Sequence, residues 1–375
     1  MSELQGVEHP TVAALGAGGP AMADGEDSDD GVTARRRNRV NAKWKKMLQK
    51  GVRHYIDTNA DTFYRRVRKG IPAEFRWQVW KASLRYEDRY VPNVYHELRG
   101  QYSRWTALIN IDTPRTFPEN EDFGPEKQKA LSSILNAYSK LNEDIGYCQG
   151  MNYVVGFLLL VADDEEEAFW VFVCLMEYNN LKGFFQDKFP LLRRYLAAFD
   201  QLIVDELPDL KDHFAQHQVQ PAVYLHQWFL TLFVSALPQD TVLVIWDGIV
   251  CEGLQTVLTV AIALLTGLKS VLLHMTLENI LKFFRAMKQN DQACDATMIG
   301  QLLIKQSHQV HLSDELMASL ADTNDLPDEQ LVVHLDTDPG AGSYGLMDEF
   351  SRFMQSIGDA FSYGDATEPR SPSPA

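Results

Sequence analysis

Apolar residues in this chain recur at helical spacing rather than in strand-like alternation. Asp163-Asp164-Glu165-Glu166-Glu167 runs directly into Ala168-Phe169-Trp170-Val171-Phe172-Val173-Cys174-Leu175-Met176. Carboxylates in a first turn complement the positive end of the helix dipole, and Asp is a favoured N-cap. Similar patterns predict helices over 128–141, 190–206, 224–236, 240–250, 254–273 and 277–289. Asp240 is a candidate N-cap for Thr241-Val242-Leu243-Val244-Ile245-Trp246, although that run alone also fits a buried strand. Hairpin signals are few and no fixed period repeats. The fold class is therefore all-α, a single large multi-helix domain. All seven tryptophans lie between Trp44 and Trp246, which puts the packed core there.

Charge divides the chain further. Lys and Arg total 35, Asp and Glu 51, and the net charge is −16, which argues against a general nucleic-acid binder. Residues 1–34 carry seven acids, no base and few large apolar side chains, so they cannot offset the entropy of ordering. The predicted layout is a disordered segment over 1–38, a folded domain over 39–310 and an acidic tail over 311–375. Within the tail, Leu346, Met347, Phe350, Phe353, Met354, Ile357 and Phe361 describe an amphipathic helix near 346–361, ahead of a disordered end. That helix fits packing on the domain or seating in a partner groove. Asp348, Glu349 and Asp359 against one Arg352 disfavour anionic lipid.

Residues 35–50 carry eight bases and no acid. They read either as a nucleic-acid or nuclear-import patch, or as a helix whose polar face is solvated while Val40, Trp44, Met47 and Leu48 point inward. The second reading accounts for a tryptophan at helical spacing. Four cysteines without CxxC spacing exclude a disulfide scaffold and a cysteine-rich zinc site. Leu254–Leu268 is uncharged but falls short of the roughly 20 residues of a spanning helix. With no positively charged leader, a soluble cytoplasmic protein without a transmembrane segment is expected.

Three segments carry candidate chemistry. The first is Lys69-Gly70-Ile71-Pro72-Ala73-Glu74-Phe75-Arg76-Trp77-Gln78-Val79-Trp80. In the second, Ile109-Asn110-Ile111-Asp112-Thr113-Pro114-Arg115-Thr116-Phe117-Pro118, two prolines stiffen a loop presenting one arginine. Asp112 stands three residues earlier, able to hold the guanidinium or to cap local backbone. A preorganised arginine is what stabilises charge on a transferring phosphoryl group, although most Arg–Asp pairs near turns are structural. In the third, Ile145-Gly146-Tyr147-Cys148-Gln149-Gly150-Met151-Asn152, glycines flank a glutamine whose amide can orient a water or bond local backbone.

Together these segments resemble the TBC domain, the Rab GTPase-activating module. Arg115 falls on the arginine of the family's I-x-x-D-x-x-R motif, with Ile109 and Asp112 in register, and Pro114 on the same loop. Gln149 falls on the glutamine of its Y-x-Q-G motif, with Tyr147 and Gly150 in register. Gly70, Ile71, Pro72, Arg76, Val79 and Trp80 match a further stretch, as do Trp228, Trp246 and Asp247. The resemblance spans roughly 40–290, and the compact layout is similar to short members of the family. Val244 departs from it, standing where arginine is frequent.

What the resemblance implies is a dual-finger activator of a GTP-bound Rab. Arg115 would neutralise transition-state charge, and Gln149 would position the attacking water. GTP and Mg²⁺ would be carried by the partner, so the chain itself needs no cofactor or metal. It would act in vesicle trafficking, with recruitment to endomembranes, and its oligomeric state is left open. The competing class is a non-catalytic Rab-binding effector or scaffold.

Other patterns carry less. Gly340-Ala341-Gly342-Ser343-Tyr344-Gly345 matches G-x-G-x-x-G, with Asp365 beyond it, but too little chain follows to complete a βαβ unit. His213 and His217 share i, i+4 spacing without a third ligand. Cys148 has no local histidine to activate it and reads as a packing residue.

Overall fold

The computed structural model describes residues 29–288 and 295–321, and among them there is no strand. The G-x-G-x-x-G run, Asp365 and the amphipathic stretch at 346–361 lie outside the described residues. Helix α1 (Asp29–Gln49) turns at Gly51 into α2 (Val52–Val67), and α3 (Ala73–Ser83) follows. The short α4 (Tyr86–Arg89), α5 (Val94–Leu98) and α6 (Thr106–Asp112) lead to the long α7 (Pro125–Leu141). Next come α8 (Met151–Val161), α9 (Glu165–Tyr178), α10 (Pro190–Glu206), α11 (Pro208–Gln216) and α12 (Ala222–Leu230). The chain continues through α13 (Gln239–Glu252), α14 (Thr256–Leu272), α15 (Leu277–Ala286), α16 (Ala296–Ser307) and α17 (Asp314–Ala321).

The predicted helices form where the periodicity puts them, with informative exceptions. Asp164 caps α9 by accepting from the Glu167 amide at 2.8 Å. The run at 241–246 is helical. It is apolar all round because α13 packs against α2, α3, α14 and α16. Asp240 is not its cap: Pro238 precedes the helix and Asp240 lies in the first turn. The helix predicted over 224–236 stops at Leu230, and Leu232 and Phe233 take left-handed backbone at φ 48° and 66°. The Trp246 indole N–H donates to the Leu232 carbonyl at 3.0 Å, fixing that break inside the core. Trp228 is buried just before it, against Tyr224, Phe233 and Phe284. Val244 is buried against Gly300 of α16, where a Cβ added to the glycine would stand 2.8 Å from the Val244 Cβ.

Helical structure also runs past both expected boundaries. Helix α1 starts at Asp29, inside the segment expected to be disordered. Trp44 and Met47 face inward as the helical spacing predicts, Leu48 is half-buried, and Val40 is exposed. Helix α17 lies within the expected tail yet packs on α10, burying Leu316 and Leu320 while Arg194 donates to the Ser319 carbonyl at 2.7 Å. Counting charge hid this segment, because its acids sit on the face opposite those two leucines.

The first motif closes the fold rather than forming a site. Asp247, fully buried on α13, accepts from Arg76 at 2.9 Å and 3.3 Å, from the Trp80 indole at 2.9 Å and from the Ile71 amide at 2.9 Å. Arg76 also donates to the Ile71 carbonyl at 2.7 Å. Pro72 precedes the first turn of α3, and Gly70 and Ile71 bring the chain to the Asp247 carboxylate. One carboxylate thus ties α3 and its leading turn to α13. Burial pushes its pKa up, opposed by the Arg76 charge and the hydrogen bonds.

Candidate functional site

The second and third motifs meet. Helix α6 ends at Asp112, whose side chain is fully buried. Ile109, one turn earlier, is buried and anchors that end; its carbonyl accepts from the Thr113 amide at 2.9 Å and hydroxyl at 2.8 Å. Arg115 folds back on Asp112, with Nε donating to Oδ1 at 2.7 Å and a terminal nitrogen donating to the same oxygen. The Arg115 side chain still has 54% of its surface open. Pro114 beside it is exposed.

The other oxygen of Asp112 belongs to the third motif. The Tyr147 hydroxyl donates to Oδ2 at 2.5 Å. Burial, and then the Asp112 charge, push the phenol pKa far above its ordinary value, so Tyr147 stays a donor. Gln149 lies two residues on, partly exposed, and its amide makes no side-chain hydrogen bond to the described residues. Its loop needs two left-handed turns, at Gly146 (φ 63°) and Gly150 (φ 110°). A Cβ on Gly146 would stand 2.0 Å from the Trp105 ring, and one on Gly150 3.1 Å from the Leu230 carbonyl. Gly150 leads straight into α8.

A second tie was not legible as such. Asn152 Oδ1 accepts from the Gly150 amide at 2.9 Å, and its Nδ2 donates to Thr116 Oγ at 2.8 Å. Thr116 in turn donates to the Asp112 carbonyl at 2.8 Å. Phe117 adopts φ 52°, which costs a non-glycine residue about 1 kcal/mol or more. Its ring sits against Gly156 of α8, Phe123 and Tyr153. Thr116, Phe117 and Asn152 are thus positioning residues. Their only sequence signal was adjacency to the two motifs. Helix α7 packs on both α6 and α8, completing the support.

The remaining candidates fall elsewhere. Gly70, Ile71, Pro72, Arg76, Trp80, Trp246 and Asp247 belong to the core junction and Trp228 to the aromatic core. The rings of His213 and His217 lie 4.4 Å apart, with His213 Nε2 on the Met275 carbonyl at 2.9 Å. Among the described residues no group of three or more His, Cys, Asp or Glu side chains is arranged to hold a metal. Burial pushes the Cys148 thiol up to about 12, and no helix there is long and apolar enough to cross a membrane.

The site is therefore a half-open arginine and a glutamine loop, held by one buried carboxylate. Such an arrangement presents a fixed positive charge and, beside it, a glutamine amide with no side-chain hydrogen bond to the described residues.

The Rab-GTPase-TBC domain family matches this chain at residues 73–273, more than half its length. The chain is 33% identical over 256 residues to Rab GTPase-activating protein eat-17 of Caenorhabditis elegans, covering 68% of this chain but 28% of that protein. It is 33% identical over 243 residues to Growth hormone-regulated TBC protein 1 of Xenopus laevis, covering 62% of this chain and 69% of that one. The fold superposes on the crystal structure of a flagellar RabGAP TBC domain from Chlamydomonas with a TM-score of 0.60 and 28% identity, over 77% of this chain and 97% of that domain. With Arg115 and Gln149 inside the matched region, and the motif residues around them assembled as one structure, this chain belongs to the Rab-GTPase-TBC domain family.

Proposed function

We propose that this chain is a GTPase-activating protein for a Rab-class small GTPase, working by two residues supplied in trans. The observation that carries the proposal is the division of labour on Asp112. One oxygen holds Arg115 and the other holds Tyr147, which leads to Gln149. Arg115 enters the partner's site and neutralises charge developing on the phosphates during transfer. Because Asp112 fixes the guanidinium beforehand, little orientational entropy is lost on docking. Gln149 uses its free amide to position the attacking water. The nucleotide and Mg²⁺ belong to the GTPase, and this chain supplies charge and orientation only. An arginine finger is worth roughly 10³–10⁵ in rate, about 4–7 kcal/mol.

The test is single-turnover GTP hydrolysis across purified Rab proteins, comparing the wild type with Arg115→Ala and Gln149→Ala. Acceleration of at least one Rab, lost in both variants, is the expected result. Acceleration untouched by Arg115→Ala would sink the mechanism. Tight binding to a GTP-loaded Rab without acceleration would assign the chain to the effector class instead.

A further inference from the structure

We infer that the outward face of α1 is a docking surface for an anionic lipid bilayer, an inference that builds on the Rab-directed reading by bringing the chain to its partner's membrane. Residues 35–69 carry thirteen bases and two acids in a chain whose net charge is −16. Packing explains one side of α1 only: Trp44 and Met47 are buried. Arg35, Arg39, Lys43, Lys46 and Lys50 are all exposed. At about 100° per residue these five fall within an arc of roughly 80°, centred about 140° from Trp44 and about 80° from Met47. The stripe runs about 22 Å along the axis.

None of the five pairs with a carboxylate among the described residues, whereas Arg68, near the end of α2, is closed by Glu252. An unneutralised row of cations this long suits an extended anionic partner. The stripe is on the convex side of one helix and presents no exposed aromatic ring. A single-stranded nucleic acid reader needs stacking platforms in a groove, and a duplex reader a reading element with base-edge contacts. A flat negatively charged surface asks only for cations in one row. Among the described side chains of α1 Val40 is the one exposed large apolar residue, so the attachment is electrostatic, reversible and screened by salt. Each basic residue near such a surface contributes about fivefold in affinity.

Sedimentation of the full chain with phosphatidylcholine vesicles, with and without phosphatidylserine, tests this without any Rab present. The expected result is phosphatidylserine-dependent binding that falls steeply with added salt. It drops at least about tenfold in the Arg39→Glu, Lys43→Glu, Lys46→Glu, Lys50→Glu variant. Exchange of the same lysines for arginine, and of Arg39 for lysine, retains it, because charge and not shape is read. Circular dichroism and the melting curve of the charge-reversed variant match the wild type, and its acceleration of GTP hydrolysis in solution is unchanged. Binding that ignores phosphatidylserine, or survives charge reversal, overturns the inference. Capture by duplex DNA while vesicles stay unbound overturns it too and assigns the stripe to nucleic acid. Failure of the GTPase assay with intact vesicle binding would count against the activating mechanism alone.

Discussion

Two arginine–aspartate pairs organise this protein, and they differ in what surrounds the arginine. Around Asp247 everything is closed: Arg76, Trp80 and Ile71 spend their donors on one buried carboxylate, and Arg76 is itself buried. Around Asp112 the carboxylate is as buried, but Arg115 leaves half its surface to solvent. The buried partner sets the geometry in both cases. Exposure of the cation decides whether the pair holds the fold together or is aimed at something outside it. The largest effect that separates the two is on activity. Arg115→Lys keeps the charge but loses the planar fork, and should remove roughly 10³-fold or more of the stimulated rate, about 4 kcal/mol. The melting temperature should stay near the wild-type value, because lysine keeps a positive charge beside buried Asp112 and the arginine it replaces is half exposed. A parallel loss of stability would show that Arg115 is a core residue after all.

The reverse experiment is on the closed pair. Arg76→Met should destabilise the protein by about 3–5 kcal/mol, since it leaves the Asp247 charge buried without its counter-charge. The deficit should depend on pH, with a definite sign. The folded-state pKa of Asp247 is already raised by burial and climbs further without Arg76. A carboxyl raised in the folded state contributes its stability below the unfolded pKa and loses it as pH rises through the folded value. The variant should therefore be closer to wild type at about pH 5 than at about pH 8, measured as denaturation midpoints. A deficit that grows on acidification would contradict this account of the junction.

Tyr147→Phe sits between the extremes. It removes one donor from buried Asp112 and leaves Arg115 and Gln149 in place. A stability loss of about 1–3 kcal/mol is expected from the unsatisfied carboxylate oxygen. Stimulated hydrolysis should fall by about tenfold, because the link between the two loops is weakened while neither acting group is removed. Loss of stability with full activity would mean that Thr116, Asn152 and Phe117 suffice to hold the loops.

Much of this was legible in the sequence, for reasons that differ by region. Helix α9 was readable because its cap, acidic first turn and apolar run all agree. The break after Leu230 was not, since it is imposed by Trp246 from sixteen residues along the chain. Helix α17 was obscured by its acids, and only contact with α10 shows that Leu316 and Leu320 matter. At the site, Arg115 and Gln149 stood out because prolines and glycines frame them. The Asp112–Tyr147 bond joins residues 35 positions apart, and the Thr116–Asn152 bond 36. No local periodicity encodes such pairings, so the sequence, through its family resemblance, pointed to Arg115 and Gln149 but not to the frame that holds them.

The smallest effect belongs to Cys148, directly beside Gln149. The chain turns so that the glutamine faces outward while the thiol is buried. Burial pushes the thiol up to about 12, with the Asp112 charge adding to it. At neutral pH the buried thiol therefore stays protonated, and the thiolate is the form that reacts with alkylating reagents. Peptide mapping after brief iodoacetamide treatment of the native chain should find Cys148 unmodified, and denatured chain should be labelled fully. Cys148→Ala should change stimulated hydrolysis by no more than about twofold, since it removes one small buried group and no charge or donor from the two loops. Rapid native labelling would mean that the Gln149 loop opens often. The fixed frame around Asp112, on which the contrast with Asp247 rests, would then hold for only part of the time.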